Sequence, residues 1–201
     1  MIYVLDGRQQ RIVRLSAEGA FAGYLDPTGL PAPAAYVPRS FHIDANDNIY
    51  LLDILSRRVL MLNPGGKYIR HIQFPEDYGF CSDLTVDFKG NILVIDSTHA
   101  RVFFAAPNSA KLTPLTGSLK QYVRFPTGIV TDQRGRIYLL DHNSSSIAVL
   151  GQDGAFLGRL SGLGWKERLL NHPSQMCING KGEVFVADTS NSRIQIFSES
   201  E

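Results

Sequence analysis

Short apolar runs recur along the chain, and each run ends at an acidic residue. In the clearest example, the run from Ile92 to Ile95 follows a polar turn that begins at Asp87, and it leads into Asp96 and an Arg-Val pair at 101–102. Runs of four or five residues bounded by turn-forming residues are typical of β-strands. No stretch shows the 3.6-residue apolar period of a long amphipathic helix. The pattern therefore predicts an all-β protein.

The same skeleton recurs at nearly even spacing, which indicates a repeat protein. Its closing acids are 43 to 47 positions apart and stand at Asp6, Asp53, Asp96, Asp141 and Asp188. A period in the forties, built from short apolar runs, is typical of the four-stranded blade of a β-propeller. We therefore predict a propeller of four-stranded antiparallel blades.

The repeats predict one domain over residues 1–201 with five units. Three complete units cover about 38–74, 81–117 and 126–160, and two partial units cover about 1–26 and 173–198. The first unit lacks its innermost strand and the last lacks its fourth strand. Because an unpaired strand edge needs cover, three explanations are open. The chain is part of a longer, six-bladed propeller, or the five units close imperfectly into a ring, or the edges pair with another chain in a homo-oligomer or larger assembly.

Two stretches resemble the NHL repeat. They are Pro126-Thr-Gly-Ile-Val-Thr-Asp132 and Val184-Phe-Val-Ala-Asp188-Thr-Ser-Asn-Ser-Arg193-Ile-Gln-Ile-Phe197, and related repeats cover nearly the whole chain. The resemblance implies a propeller, commonly six-bladed, that serves as a binding platform or, in a minority of relatives, as a lyase. The chain departs from the family pattern in its number of repeats and at Ser146, where the other repeats have arginine.

The repeated charged residues have a structural interpretation and a functional one. We expect each closing acid to accept hydrogen bonds from the turn that follows it, and the arginine five positions later to pair with it. The arginines at this position are Arg11, Arg58, Arg101 and Arg193. The alternative is that these arginines form a cationic ring for an anionic ligand.

Variable sequence collects on one predicted face. In a four-stranded antiparallel blade, the loop between the second and third strands emerges on the same face as the connector to the next blade. The connectors at 26–37, 75–80, 117–125 and 161–172 differ in length and composition, so we expect recognition on this face. The candidate binding residues there are Arg58, Arg101, His142, Trp165, Lys166 and Arg168.

Within this face, the connector 161–172 carries the strongest signal for binding. Trp165 is the only tryptophan of the chain and stands near Lys166 and Arg168. Tryptophan and arginine are over-represented at binding hot spots. The alternative is a tryptophan that folds back over the edge of its blade.

Composition and charge narrow the classes of partner. The net charge of +1 gives nucleic-acid binding no support at the level of the whole chain, although it leaves a local basic patch open. The sequence has no apolar run long enough to span a membrane, and because Met1 leads directly into a predicted strand we expect no signal peptide in it. The compartment is therefore unknown: cytoplasmic by default, exported if an upstream signal is missing.

Cys81 and Cys177 lack metal-ligand spacing, and we expect both thiols to be buried.

An enzymatic function would rest on the histidines. The resemblance implies that the related lyases are zinc enzymes, and zinc needs three or four ligands at close range. Of the five histidines, only His42 and His172 are predicted to approach the central channel, so we expect no catalytic residue, metal or cofactor. The sequence favours a non-catalytic scaffold that binds a protein partner. The alternatives are a metal-dependent lyase or hydrolase and a single-stranded RNA-binding module.

Overall fold

The computed structural model describes residues 1–198, and these residues form β-strands joined by turns and connectors. The described chain contains eighteen strands and one 3₁₀ turn, Thr189–Asn191. None of residues 1–198 belongs to a helix that is long and apolar enough to cross a bilayer. The prediction of an all-β protein is confirmed.

The strands form five antiparallel sheets, and each sheet contains strands that are consecutive in sequence. Blade 1 contains β1 (Ile2–Asp6), β2 (Arg11–Leu15) and β3 (Phe21–Tyr24). Blade 2 contains β4 (Pro38–Ile43), β5 (Ile49–Asp53), β6 (Arg58–Leu62) and β7 (Tyr68–Gln73). Blade 3 contains β8 (Cys81–Val86), β9 (Ile92–Asp96), β10 (Arg101–Ala105) and β11 (Thr113–Pro114).

The last two sheets continue the same order. Blade 4 contains β12 (Pro126–Thr131), β13 (Ile137–Asp141), β14 (Ser146–Leu150) and β15 (Phe156–Arg159). Blade 5 contains β16 (Gln175–Ile178), β17 (Val184–Asp188) and β18 (Arg193–Phe197). The described strands thus form three four-stranded blades flanked by two three-stranded blades, and the predicted β-propeller is confirmed.

A repeated turn connects the first two strands of blades 2 to 5. In blade 3, Asp87 Oδ1 accepts the backbone N–H groups of Lys89 at 2.8 Å and Asn91 at 2.9 Å. Gly90 in this turn has a φ of 80°, a left-handed conformation that glycine adopts without strain. The same backbone contacts recur around Asp44, Asp132 and Asn179. This turn explains why a polar residue stands before each apolar run at constant spacing.

The chain divides into two compact units, each with its own apolar core. The first unit consists of Met1–Pro75 with Ser109–Lys111, and the second contains the rest of the described chain. In the first unit, Ile12 of blade 1 packs in one cluster with Leu51 and Leu60 of blade 2. Burial of each such aliphatic side chain stabilises the fold by about 1.5–3 kcal/mol.

In the second unit, apolar side chains fill the spaces between consecutive blades. One cluster contains Ile95 of blade 3 and Leu139 of blade 4, and the next contains Leu140 of blade 4 and Val186 of blade 5. Leu139 and Leu140 are neighbours in β13, so that strand buries side chains on both faces. This explains why the second strand of each complete repeat is a continuous apolar run rather than an alternating one.

The prediction of two buried thiols is wrong for one cysteine. Cys81 is buried, whereas Cys177 is exposed. The neighbouring Met176 belongs to the core shared with blade 4. Because successive side chains of a strand point to opposite faces, Cys177 lies on the face of β16 away from that core.

Candidate binding surface

The closing acids tie two loops of the same blade together. Asp53 Oδ1 accepts the backbone N–H groups of Leu55 and Ser56 in the turn that follows, at 3.1 and 3.3 Å, and that of Val37 in the preceding connector at 3.0 Å. Asp96 and Asp141 each make the same two sets of contacts. The acids therefore hold each connector against its blade, a role that the sequence pattern alone did not indicate.

The arginines of blades 2 and 5 extend this link from the acid to the connector. Arg58 Nε lies 3.0 Å from Asp53 Oδ2, and its Nη2 donates to the carbonyl oxygen of Pro33 at 3.0 Å. Arg193 Nε lies 2.8 Å from Asp188 Oδ2. Each guanidinium thus bridges a buried carboxylate and the connector in front of its own blade.

Two other arginines depart from this arrangement. Arg101 Nε is 3.6 Å from Asp96 Oδ2, beyond hydrogen-bond distance, and Nη1 donates instead to Asp77 Oδ2 at 2.8 Å. Arg11 places its guanidinium carbon 4.1 Å from the centre of the Tyr24 ring. The equivalent arginines therefore share a position in the repeat but differ in their partners.

In blade 4, where Ser146 stands at the arginine position, an arginine of another strand contacts the connector. Ser146 Oγ lies 2.8 Å from Ser144 Oγ, and the short serine does not reach the connector as arginine does in blades 2 and 5. Arg159, on β15 of the same blade, donates to the carbonyl oxygen of Tyr122 in the connector 117–125. Sequence reasoning detected the departure at Ser146 but not the contact of Arg159 with the connector.

Hydrogen bonds set the charge of the acid in blade 5. Burial alone would raise the pKa of Asp188, but donation from the Asn191 side chain, the Asn171 backbone and Arg193 outweighs burial and lowers the pKa below its usual range. Asp188 Oδ2 accepts the Asn191 amide at 2.8 Å, and Oδ1 accepts the Asn171 N–H at 2.7 Å. The carboxylate is thus ionised at neutral pH and holds Arg193 in place.

The connector 161–172 is held in one conformation by its own backbone. Gly164 N–H donates to the carbonyl oxygen of Leu170, and Leu170 N–H donates to that of Gly162, both at 2.9 Å. Ser161 Oγ donates to the carbonyl oxygen of Arg168 at 2.8 Å. Leu170 is fully buried in the core between blades 4 and 5. These contacts make the connector a closed loop with an apolar anchor.

Blade 5 adds a second set of contacts to this loop. Arg193 Nη2 donates to the carbonyl oxygens of Lys166 at 2.8 Å and Leu169 at 2.9 Å. Asn191 Nδ2 donates to the carbonyl oxygen of Gly164 at 2.9 Å. The tip of the connector, residues 163–168, therefore rests on blade 5 through polar contacts to its backbone.

The side chains of this tip face solvent. Trp165 is 79% exposed and Leu163 is 67% exposed. Lys166 and Arg168 are exposed as well. The interpretation in which Trp165 folds back over the blade edge does not describe its position. We call residues 163–168 the Trp165 tip.

Two histidines meet at the base of the same connector. The ring centres of His142 and His172 are 5.2 Å apart. His142 Nδ1 lies 3.0 Å from the carbonyl oxygen of Pro173. The backbone N–H of His172 donates to Ser145 Oγ at 3.0 Å. Sequence reasoning noted both residues but not their proximity, because it depends on how blades 4 and 5 pack. Within residues 1–198, no group of three or more His, Cys, Asp or Glu side chains is arranged to hold a metal ion.

The candidate residues occupy different environments. Trp165, Lys166 and Arg168 share the exposed tip, while His142 is partly buried. Arg58 belongs to the first unit and is only 2% exposed. Arg101 is 16% exposed at its side chain and bonds to Asp77. His42 is half-buried in β4, where burial lowers its pKa.

A family comparison matches the last repeat. The model of the NHL repeat matches residues 170–197, which contain the Asp188–Arg193 pair, the 3₁₀ turn and all three strands of blade 5. The chain is a β-propeller whose last blade is an NHL repeat. No curated protein sequence matches the chain.

Solved structures with the same fold include two lyases and a chain of a nidogen/laminin complex. A streptogramin B lyase structure is 12% identical with a TM-score of 0.65, and covers 98% of this chain and 64% of the lyase chain. A catalytically inactive variant of virginiamycin B lyase from Staphylococcus aureus, with quinupristin, is 16% identical with a TM-score of 0.65, at 97% and 65% coverage. A nidogen/laminin complex is 20% identical with a TM-score of 0.67, at 93% and 74% coverage. The chain spans less than two thirds of the length of the two lyases, and identities this low show similarity of fold alone.

Proposed function

We propose that this propeller is a non-catalytic scaffold that binds a protein partner through the face bearing the connectors, with the Trp165 tip as the anchor. The observation that carries the proposal is a tryptophan that is 79% exposed on a backbone held by Arg193 and Asn191. Covering an exposed indole with a partner removes apolar surface from water and so favours binding. Tryptophan is also enriched among the residues that dominate binding energy.

The rigidity of the tip supports binding as much as its exposure does. A loop that is ordered before binding loses little conformational entropy when the complex forms. The tip also presents two cations, Lys166 and Arg168, next to the indole. We therefore expect the partner to offer an apolar pocket for Trp165 with carboxylates at its rim. A standard interface buries about 800 Å² on each partner, so neighbouring connectors would contribute as well.

The test is quantitative capture from the source organism's lysate with three forms of the full chain. Trp165→Ala removes the proposed anchor. Phe88→Ala is the matched control, because Phe88 is also an exposed aromatic side chain, 59% exposed, but lies in the turn between β8 and β9 on the opposite face. We expect the wild type and the Phe88 variant to retain the same partner and the Trp165 variant to lose it. Retention by all three forms would contradict the proposal.

A lyase activity is the second candidate, and the histidine pair is the observation that favours it. Two imidazoles with ring centres 5.2 Å apart can act as a general acid and base. The described residues do not supply a third ligand to this pair, so they do not fit a zinc centre with its usual ligand set. The test is incubation with quinupristin and mass spectrometry of the products. Ring opening without the mass gain of one water, seen as a changed retention time and fragmentation pattern and abolished by His172→Ala, would establish elimination by a lyase. Intact quinupristin would favour the scaffold.

A further inference from the structure

A cavity of about 440 Å³ opens on blade 2, beneath the connector in front of it. Its walls include Ala32 and Pro33 of that connector, Leu55 of the turn after β5, Arg58 of β6 and His71 of β7. Pockets that bind small organic ligands have volumes of about 300–1,000 Å³. The cavity therefore has the size of a ligand site, and all of its lining residues belong to the first unit.

Arg58 is the charged group of this cavity. Its side chain is 2% exposed, and its hydrogen bonds within the described chain use Nε, to Asp53, and Nη2, to Pro33. A guanidinium has five N–H donors. The remaining N–H groups of Arg58 can therefore serve a ligand in the cavity.

The equivalent arginine of blade 3 shows what such a guanidinium binds when an acid is within reach. Arg58 and Arg101 both pair in strand register with the closing acid of their blade. Arg101 additionally donates through Nη1 to the carboxylate of Asp77, at 2.8 Å, and through Nη2 to the Asp77 carbonyl oxygen. The Arg101 guanidinium thus binds a second carboxylate while its Nε lies 3.6 Å from that of the buried Asp96. Arg58 likewise donates to a backbone carbonyl oxygen, that of Pro33. Where Arg101 meets the second carboxylate, Arg58 borders the cavity.

The rest of the lining indicates the chemistry attached to that carboxylate. Ala32, Pro33 and Leu55 give the cavity an apolar side. Burial, and after it the charge of Arg58, lowers the pKa of His71, so His71 is neutral at pH 7 and Arg58 supplies the positive charge. His71 Nδ1 lies 2.8 Å from the Tyr68 hydroxyl, which fixes the ring.

We propose that this cavity binds a carboxylate that carries an apolar group, with Arg58 as its charge partner. Two sources offer that chemistry: a free monocarboxylic acid, and the C-terminal residue of a peptide. The site is independent of the Trp165 tip, since it lies in the other unit and neither proposal requires the other.

The experiment compares matched acids and amides against the full chain by saturation-transfer NMR and calorimetry at pH 7. The probes are N-acetyl-L-leucine and its amide, 4-methylpentanoate, and the peptide acetyl-Ala-Ala-Leu with a free or an amidated C-terminus. Because charge-assisted hydrogen bonds are about twice as strong as neutral ones, we expect each acid to bind at least about tenfold more tightly than its amide. Tighter binding of the peptide acid than of 4-methylpentanoate would identify a peptide terminus as the ligand. The reverse order would identify a free acid.

Two variants at the rim separate charge from shape without touching the Asp53–Arg58 pair. Leu55 is 55% exposed, and Leu55→Glu places a tethered carboxylate near Arg58, whereas Leu55→Gln adds a side chain of the same size without charge. We expect the Gln variant to weaken acids and amides by the same factor, because both lose the apolar contact with Leu55, and the Glu variant to weaken the acids by at least about a further tenfold, with equal melting temperatures. Equal binding of acids and amides by the wild type, or equal acid affinities of the Glu and Gln variants, would overturn the proposal.

Discussion

Arg193 donates to the carbonyl oxygen of Lys166 at 2.8 Å, one residue after the exposed Trp165. The same guanidinium bonds to the buried Asp188, so the residue that completes the repeat motif also supports the candidate recognition loop. In blade 5 the repeated arginine thus pairs with the closing acid and also holds the backbone of the proposed recognition loop.

Replacing Arg193 should loosen the Trp165 tip. Arg193→Gln removes the ion pair with Asp188 and both contacts to the connector, and hydrogen bonds to charged groups are each worth about 1.5–3 kcal/mol. We expect faster amide hydrogen exchange at residues 163–170 and a lower midpoint in urea. Arg168→Gln is the control, because Arg168 is exposed, and it should change the free energy of unfolding by less than about 0.5 kcal/mol. Unchanged exchange in the Arg193 variant would show that the tip is held by other contacts.

Asp53 and Asp77, which pair with equivalent arginines, should differ sharply in their contribution to the free energy of unfolding. Asp53 is fully buried, and Asp53→Asn leaves the buried Arg58 without its counter-charge, which should lower the free energy of unfolding by about 3–5 kcal/mol. Asp77 is 68% exposed, so Asp77→Asn should lower it by about 0–1 kcal/mol. Urea titrations of both variants measure the difference, and comparable losses would refute the assignment of Asp53 as the central structural acid.

Acid should weaken the fold partly through Asp188. Its pKa is lowered in the folded state, so the unfolded chain binds the proton more readily at mildly acidic pH. The stabilisation is therefore fully present above the unfolded carboxyl pKa of about 3.9 and is lost as pH falls through the folded value. The free energy of unfolding of the wild type should fall more steeply between pH 5 and 3 than that of Asp188→Asn. Parallel curves would mean that Asp188 does not contribute.

The two cysteines should react at very different rates. Burial and then the charge of Asp96 raise the pKa of Cys81 to about 12, so little thiolate forms at pH 8, whereas Cys177 is exposed. An aromatic disulfide reagent should therefore modify one thiol per native chain quickly and the second only in denaturant. Cys177→Ser should abolish the fast reaction. Rapid modification of both thiols in the folded protein would contradict the burial of Cys81.

Local sequence patterns predicted what depends on local geometry. The run from Ile92 to Asp96 indicated a strand and a closing turn, because both arise from contacts within about ten residues. The same reasoning placed Arg58 opposite Asp53, since a register of consecutive antiparallel strands follows from a short turn. These features recur because each blade contains the same strand–turn–strand segment.

Features that depend on packing between distant segments could not be predicted in this way. The approach of His142 to His172 requires the spacing of two blades. The contact between Arg159 and the connector of blade 4 could be predicted only by knowing which strand passes near Tyr122. The exposure of Trp165 depends on whether Leu170 or the indole enters the core, and both are apolar. In the structure the smaller side chain is the anchor.

The measurement that tests the central claim most directly is the affinity of the captured partner for the wild type, Trp165→Ala and Phe88→Ala chains, determined by calorimetry at one salt concentration. A hot-spot residue contributes at least about 2 kcal/mol, which corresponds to a loss of about thirtyfold. We predict that loss for the Trp165 variant and an unchanged dissociation constant for the Phe88 variant, with equal melting temperatures. A dissociation constant that is the same for all three chains would show that the partner binds elsewhere, and the Trp165 tip would not be the recognition surface.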